Sequence, residues 1–292
     1  MRRRDFIRTS FAGAGALALG TLGTRLALSE TLQPTTGKSA SDLVTLGKSG
    51  IKASRLAMGT GTHGSNGSSN QTRLGLDGVS ALFKAAYDHG INFWDSADQY
   101  GSHPHLKEAL KTIPREKVVI LTKTHASTAD EMKADLDRFR QELGTDYIDI
   151  LLLHCMTDPN WPKLKQGAMD VLSEAQQKGI VKLHGTSCHT FEALTTAANT
   201  DWVQVDLARI NPAGVIMDAA PEKVVPVLRD MKKKGKTVIG MKIFGEGRLK
   251  DRMDESLKFV MGLDCVDCFT IGSESRDQVA DLVKRIPAAA NA

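Results

Sequence analysis

The sequence predicts an α/β fold: a closed parallel (β/α)8 TIM barrel with an N-terminal β-hairpin. Three observations carry this expectation. Apolar runs near 56–60, 92–95, 118–122, 148–153, 180–183, 202–207, 237–241 and 266–271 make eight strand candidates. Amphipathic stretches separate them, so strand and helix alternate, as in a barrel of about 250 residues. An open doubly wound sheet would normally carry a Gly-x-Gly-x-x-Gly turn after its first strand. Here "MGTGTHGSNG" (58–67) is glycine-rich but wrongly spaced, and a loop follows it.

Taken in order, "LVTLGKSGIKASRL" (43–56) reads as a hairpin turning at Lys48-Ser49-Gly50 and plugging the bottom of the barrel. The clearest helix spans 128–143, where Met132, Leu136, Phe139 and Leu143 share one face. Thr128 and Glu131 form its capping box, and Gly144 supplies its stop. Pro221 opens a later helix whose face carries Val224, Leu228 and Met231, with Gly235 beyond its end. The barrel domain runs over 43–292, and residues 30–42, rich in Ser and Thr without periodicity, read as a disordered linker.

The formal net charge of +4 belongs to the N-terminus: residues 1–29 carry five arginines and one acid, and the rest of the chain balances. That balance gives no sign of a nucleic-acid surface. Residues 1–29 read as an export signal peptide, with a basic start, a Gly/Ala-rich middle and small residues at 27–29. The stretch "RRDFIR" (3–8) resembles the twin-arginine pattern, with Arg2 where a Ser or Thr is usual. It implies the twin-arginine export machinery as a partner and a periplasmic or otherwise exported protein. The middle is too short and glycine-rich for stable membrane insertion, and Arg25 interrupts it.

In such barrels the chemistry lies at the C-terminal ends of the strands. The second predicted strand ends in Asp95 with Tyr100 in its loop, the third in Lys123 and the fourth in His154. A tyrosine is a poor acid, with a free pKa of about 10. A neighbouring ammonium favours its phenolate, an aspartate keeps that ammonium charged, and a histidine can orient a substrate oxygen. Asp98 has no place in that set and reads as a loop residue.

On "LGKSGIKASRLAMGTG", "HGINFWDSADQYG", "LTKTH" and "LGTDYIDILLLHC" the chain resembles the aldo/keto reductase family over about residues 43–285. The resemblance implies NAD(P)H-dependent reduction of an aldehyde or ketone, with Asp95, Tyr100, Lys123 and His154 as the catalytic set and no metal. It also implies cofactor contacts from Gly59, Thr60, Ser187, Cys188, Gln204, Met241, Lys242, Gly245, Gly272, Ser273, Ser275 and Arg276. Two positions depart from the family: Cys188 stands where an Asn is usual and Met241 where many members stack a tyrosine on the nicotinamide. Family habit leans to NADPH over NADH, with Arg276 as the cation for the extra phosphate and Glu274 and Asp277 opposing it. Trp161, in the longest mouth loop, is the candidate substrate contact.

The pair Cys265 and Cys268 lies away from the mouth and lacks the second pair a zinc site needs, so reduced structural thiols are expected. Cys155 and Cys188 sit at neighbouring strand ends. Two other readings stay open: a nucleotide-binding sensor or partner barrel without catalysis, and a sugar isomerase or lyase on the same scaffold.

Overall fold

The computed structural model describes residues 38–291. The export segment and residues 30–37 of the expected linker lie outside them. Residues 38–42 are ordered, contrary to the disordered linker expected there. Ser39 donates from its backbone N and its Oγ to the Asp42 carboxylate, Ala40 is buried, and the Leu56 N–H bonds the Ala40 carbonyl. Satisfying these backbone groups against the barrel outweighs the polar composition of the segment.

An antiparallel hairpin, β1 (Leu43–Thr45) and β2 (Lys52–Ser54), precedes eight parallel strands. These are β3 (Leu56–Gly59), β4 (Phe93–Asp95), β5 (Val119–Thr124), β6 (Ile148–Met156), β7 (Val181–Cys188), β8 (Val205–Arg209), β9 (Thr237–Met241) and β10 (Cys268–Gly272). Each pairs with the next, and β10 closes on β3 with Phe269 opposite Leu56 and Gly272 opposite Gly59. The helices are α1 (Gly75–Asp88), α2 (His103–Ala109), α3 (Ala129–Leu143), α4 (Trp161–Leu164), α5 (Gln166–Gln177), α6 (Phe191–Asn199), α7 (Pro221–Lys233), α8 (Met253–Gly262) and α9 (Arg276–Ala290). The Thr128–Glu131 capping box opens α3, and Gly144, with φ 66°, ends it. None of the described helices is long and apolar enough to cross a membrane.

Two apolar layers follow from the period of two along each strand. Phe93, Leu121, Ile150, Leu152, Leu183, Val205 and Leu207 point into the barrel, together with Leu46 and Ala53 of the hairpin region. Leu46 and Ala53 are fully buried, so the hairpin does close the N-terminal end. Trp94, Ile120, Leu151 and Leu153 point outward beneath the helices. Carried one step further, the same parity aims Asp95, Lys123 and His154 inward at the other end, each two residues after an inward-facing apolar residue.

Asp206, between Val205 and Leu207, has the outward parity and is fully buried, with Oδ1 unpartnered. Burial pushes its carboxyl up to about 8 from an ordinary 3.8. The unfolded chain therefore releases this proton earlier than the folded one, and stability is lost as the pH rises across that window. Asp206→Asn is expected to gain on the parent by about 1.4 kcal/mol per pH unit through the window. Urea unfolding at about pH 5 and about pH 8 reads this directly. A difference that does not grow with pH contradicts a buried neutral acid at this position.

Candidate active site

Asp95 and Lys123 form a buried ion pair at the mouth. The Lys123 Nζ donates to Asp95 Oδ1 at 2.6 Å and to the Ser96 carbonyl at 2.6 Å. Burial pulls the ammonium pKa down, and Asp95 opposes the shift. The Nζ lies 5.1 Å from the centre of the Tyr100 ring.

Tyr100 ends a 3-10 turn over Asp98–Tyr100. Asp98 anchors this turn, accepting from Arg138 Nη1 at 2.6 Å, and Arg138 also bonds Asp135 and Glu142 on its own helix α3. It is thus more than an idle loop residue. Gly101 follows with φ 63°, and a Cβ there would meet the Gly67 carbonyl oxygen at 2.1 Å. A side chain at Gly61 or Gly64 would strike the Tyr100 ring at 2.3 or 2.4 Å, so these glycines let the β3 loop wrap it. The phenol pKa is raised, first by burial and then by the negative charge of Asp95. Burial and the Asp95 charge outweigh the lowering by Lys123 expected from residue type. The phenol keeps its proton at neutral pH.

His154 is 4% exposed, and its Nδ1 has no hydrogen-bond partner among the described residues. Burial, then the Lys123 charge, holds the imidazole well below its usual range, so it is neutral. His125 stacks on it with ring centres 4.7 Å apart, and Tyr100 and His189 meet it edge-on at 5.8 and 6.4 Å. His125 and His189 are mouth residues that residue-by-residue reading of the sequence missed. Each directly follows a strand end, Thr124 of β5 and Cys188 of β7, which is the signal that could have found them. Arg209 ends β8 in an ion pair with Asp218 and also donates to the His189 carbonyl at 2.6 Å.

Beside these residues opens a groove of about 450 Å³, lined by Gly59, Gly61, Met241, Lys242, Gly272 and Ser273 among others, and reaching Asp95, Tyr100 and Lys123. The residues fit a dinucleotide. The Oγ1 of Thr270 and the Oγ of Ser273 line the groove buried and unpartnered, and buried polar groups ordinarily find partners. The N-terminus of α9 stands at its end, a place that favours a phosphate. Leu207, Met241, Ile243 and Phe244 supply apolar walls.

The other expected contacts divide. Lys242 lines the groove in a left-handed conformation, φ 58°, paired to Glu246. Gly245 does not line it but supports the loop, packed against Val215 and Leu249. Thr60 is buried beneath, bonding the Asp95 carbonyl at 2.9 Å, so it holds the strand end rather than a ligand. Ser187 faces inward, where its Oγ accepts the Cys155 N–H at 3.0 Å. The Ser275 hydroxyl caps α9 by accepting from the Gln278 N–H, and Arg276 is exposed outside the groove lining.

Three expectations are corrected outright. Cys188 follows inward-facing Ser187 and therefore points outward, into the layer under the helices. Gln204 precedes β8 at the opposite end of the barrel, bonded to Gln176 at 2.8 Å and beside a separate cavity of about 530 Å³. Trp161 is 1% exposed, donates to the Ala193 carbonyl at 3.4 Å and packs near Trp202 in the outer layer. Its size drew it into the helix layer instead of the mouth. All four cysteines are free thiols.

Comparison with known proteins agrees with this fold. The sequence profile of the Aldo/keto reductase family matches residues 55–271. An aldo-keto reductase of Alternaria alternata is 31% identical over 205 residues, 54% of each chain. The D-threo-aldose 1-dehydrogenase of a Pseudomonas species is 25% identical over 212 residues, 60% of this chain and 62% of its own. The matched segment thus spans a little over half the length of these curated relatives. Among solved structures, a putative aldo-keto reductase from Pseudomonas aeruginosa shares the fold with a TM-score of 0.72 at 21% identity, covering 86% of this chain and 97% of its own. An aldo-keto reductase of Klebsiella pneumoniae, solved with NADPH, has a TM-score of 0.66 at 18% identity, covering 86% and 90%.

Proposed function

The chain belongs to the aldo/keto reductase family, and from that membership we propose that it reduces an aldehyde or ketone to an alcohol with NAD(P)H, Tyr100 donating the proton. The observation that carries this reading is the buried Asp95–Lys123 pair beside Tyr100 and His154, opening on a groove of about 450 Å³.

A dihydronicotinamide held in the groove would supply the hydride. As the carbonyl oxygen gains negative charge, the neutral Tyr100 phenol gives it a proton. The Lys123 ammonium near the ring stabilises the phenolate left behind, and Asp95 with the Ser96 carbonyl holds that ammonium in place. A neutral His154 can donate a hydrogen bond to the same oxygen and fix the carbonyl face.

Family habit favours NADPH, yet at the α9 end of the groove Glu274 stands beside Lys250 and Asp281, and the Asp281 carboxylate is paired to Arg285 at 2.6 Å. Asn70 Nδ2 donates to Glu274 at 2.6 Å and fixes it at the rim. A second phosphate there meets the Glu274 carboxylate, so we expect NADH to bind more tightly. Nicotinamide fluorescence titrations with each nucleotide test both points. Tighter NADPH would overturn the preference, and binding of neither would overturn the reductase reading. The basic stretch Arg2–Arg8 supports export of the folded chain to the periplasm. Fractionation of cells expressing the full chain would show it there, and recovery solely from the cytoplasm would refute it.

A further inference from the structure

His154 would orient the substrate oxygen, but among the described residues its imidazole makes no hydrogen bond, and its Nδ1 is buried without a partner. Histidines with a defined task are commonly held by a hydrogen bond on the second nitrogen. Here contacts with neighbouring rings take the place of that bond in fixing the plane. Of the three rings around it, Tyr100 and His189 present edges at 5.8 and 6.4 Å, with interplanar angles of 87° and 86°. His125 alone lies face to face, at 4.7 Å and 27°.

His125 is itself held. Its Nε2 bonds Gln99 Oε1 at 2.9 Å, and Gln99 is the residue before Tyr100 in the same turn. Its backbone carbonyl accepts from Lys165 Nζ at 2.7 Å. Just before it, Thr124 Oγ1 accepts the Ala126 N–H at 2.9 Å and bonds Asp135. The stack therefore joins the turn that carries Tyr100 to the ring of His154.

We propose that His125 is a positioning residue, whose imidazole, pinned by Gln99, sets the plane of His154 against the substrate oxygen. This rests on the reductase reading for its catalytic consequence, though not for its geometry. A reacting group displaced by about an ångström can cost about a hundredfold in rate, and His154 has no hydrogen bond to limit its rotation once the stack is gone. Stacking needs a flat ring and not an ionisable one, so phenylalanine should serve where alanine does not.

The test compares His125→Ala and His125→Phe in the full chain by two readouts. First, the imidazole Hε1 resonance of His154, identified by its loss in His154→Asn, reports the ring current of the neighbour whether or not the protein turns over. It should shift on His125→Ala and stay displaced in His125→Phe. Second, kcat with a reactive aldehyde should fall at least tenfold in the alanine variant and largely return in the phenylalanine variant, with nucleotide affinity unchanged in both. An unmoved His154 resonance in His125→Ala, or a phenylalanine variant no better than alanine, overturns the proposal. A parent protein that transfers no hydride overturns the function proposed above, while the resonance still decides whether His125 sets the ring.

Discussion

Tyr100→Phe is expected to lower kcat for carbonyl reduction by about a hundredfold to ten-thousandfold, the range of a lost general acid. Nucleotide affinity and the unfolding midpoint should stay close to those of the parent. The substitution removes one oxygen and leaves the ring that Gly61 and Gly64 accommodate. The turn beneath stays anchored through Asp98 and Arg138. Burial and Asp95 keep the phenol protonated, so it holds the proton to be given. His154 is neutral, and the Lys123 protons are directed at Asp95 and Ser96. Steady-state rates with NADH and a reactive aldehyde, alongside fluorescence titration of the nucleotide, separate lost chemistry from lost binding. Turnover near the parent value would remove Tyr100 from the mechanism.

Lys123→Met is expected to damage stability and activity together. The ammonium is 1% exposed and Asp95 6%. Removing one partner leaves a carboxylate buried without its counter-charge, which costs about 3–5 kcal/mol. Urea unfolding should show that loss. The double variant Lys123→Met with Asp95→Asn removes the stranded charge and should recover much of the stability, but none of the turnover. This non-additivity is the signature of a coupled pair. Were Lys123→Met as stable as the parent, the pair would not be the buried, mutually dependent unit described here.

Most of the barrel was legible because strand parity and helix caps are local properties. The capping box at Thr128, the stop at Gly144 and the run "YIDILLLHC" each carry their own answer. The placement of Asp95, Lys123 and His154 was legible for the same reason: Phe93 to Asp95, Leu121 to Lys123 and Leu152 to His154 are each one inward step. The cofactor positions failed where residue type was weighed without parity. In "LHGTSC" the inward residues are Leu183, Gly185 and Ser187, and Cys188 must then face the helices. Gln204 fell because the strand begins one residue later, at Val205, which places Gln204 at the wrong end. The roles of His125, Asp98 and Gln99 were not legible. They depend on contacts between β5, β6 and α3 that no single segment encodes.

The central claim is that a hydride moves from a nicotinamide held in this groove to a carbonyl carbon beside Tyr100. Reduction of a reactive aldehyde with dihydronicotinamide deuterated at the transferable position tests it most directly. The account predicts deuterium on the alcohol carbon, matched one for one by oxidised nucleotide and abolished in Tyr100→Phe. Alcohol formed without the label, or tight nucleotide binding with no label transferred to any aldehyde or ketone tried, would contradict it.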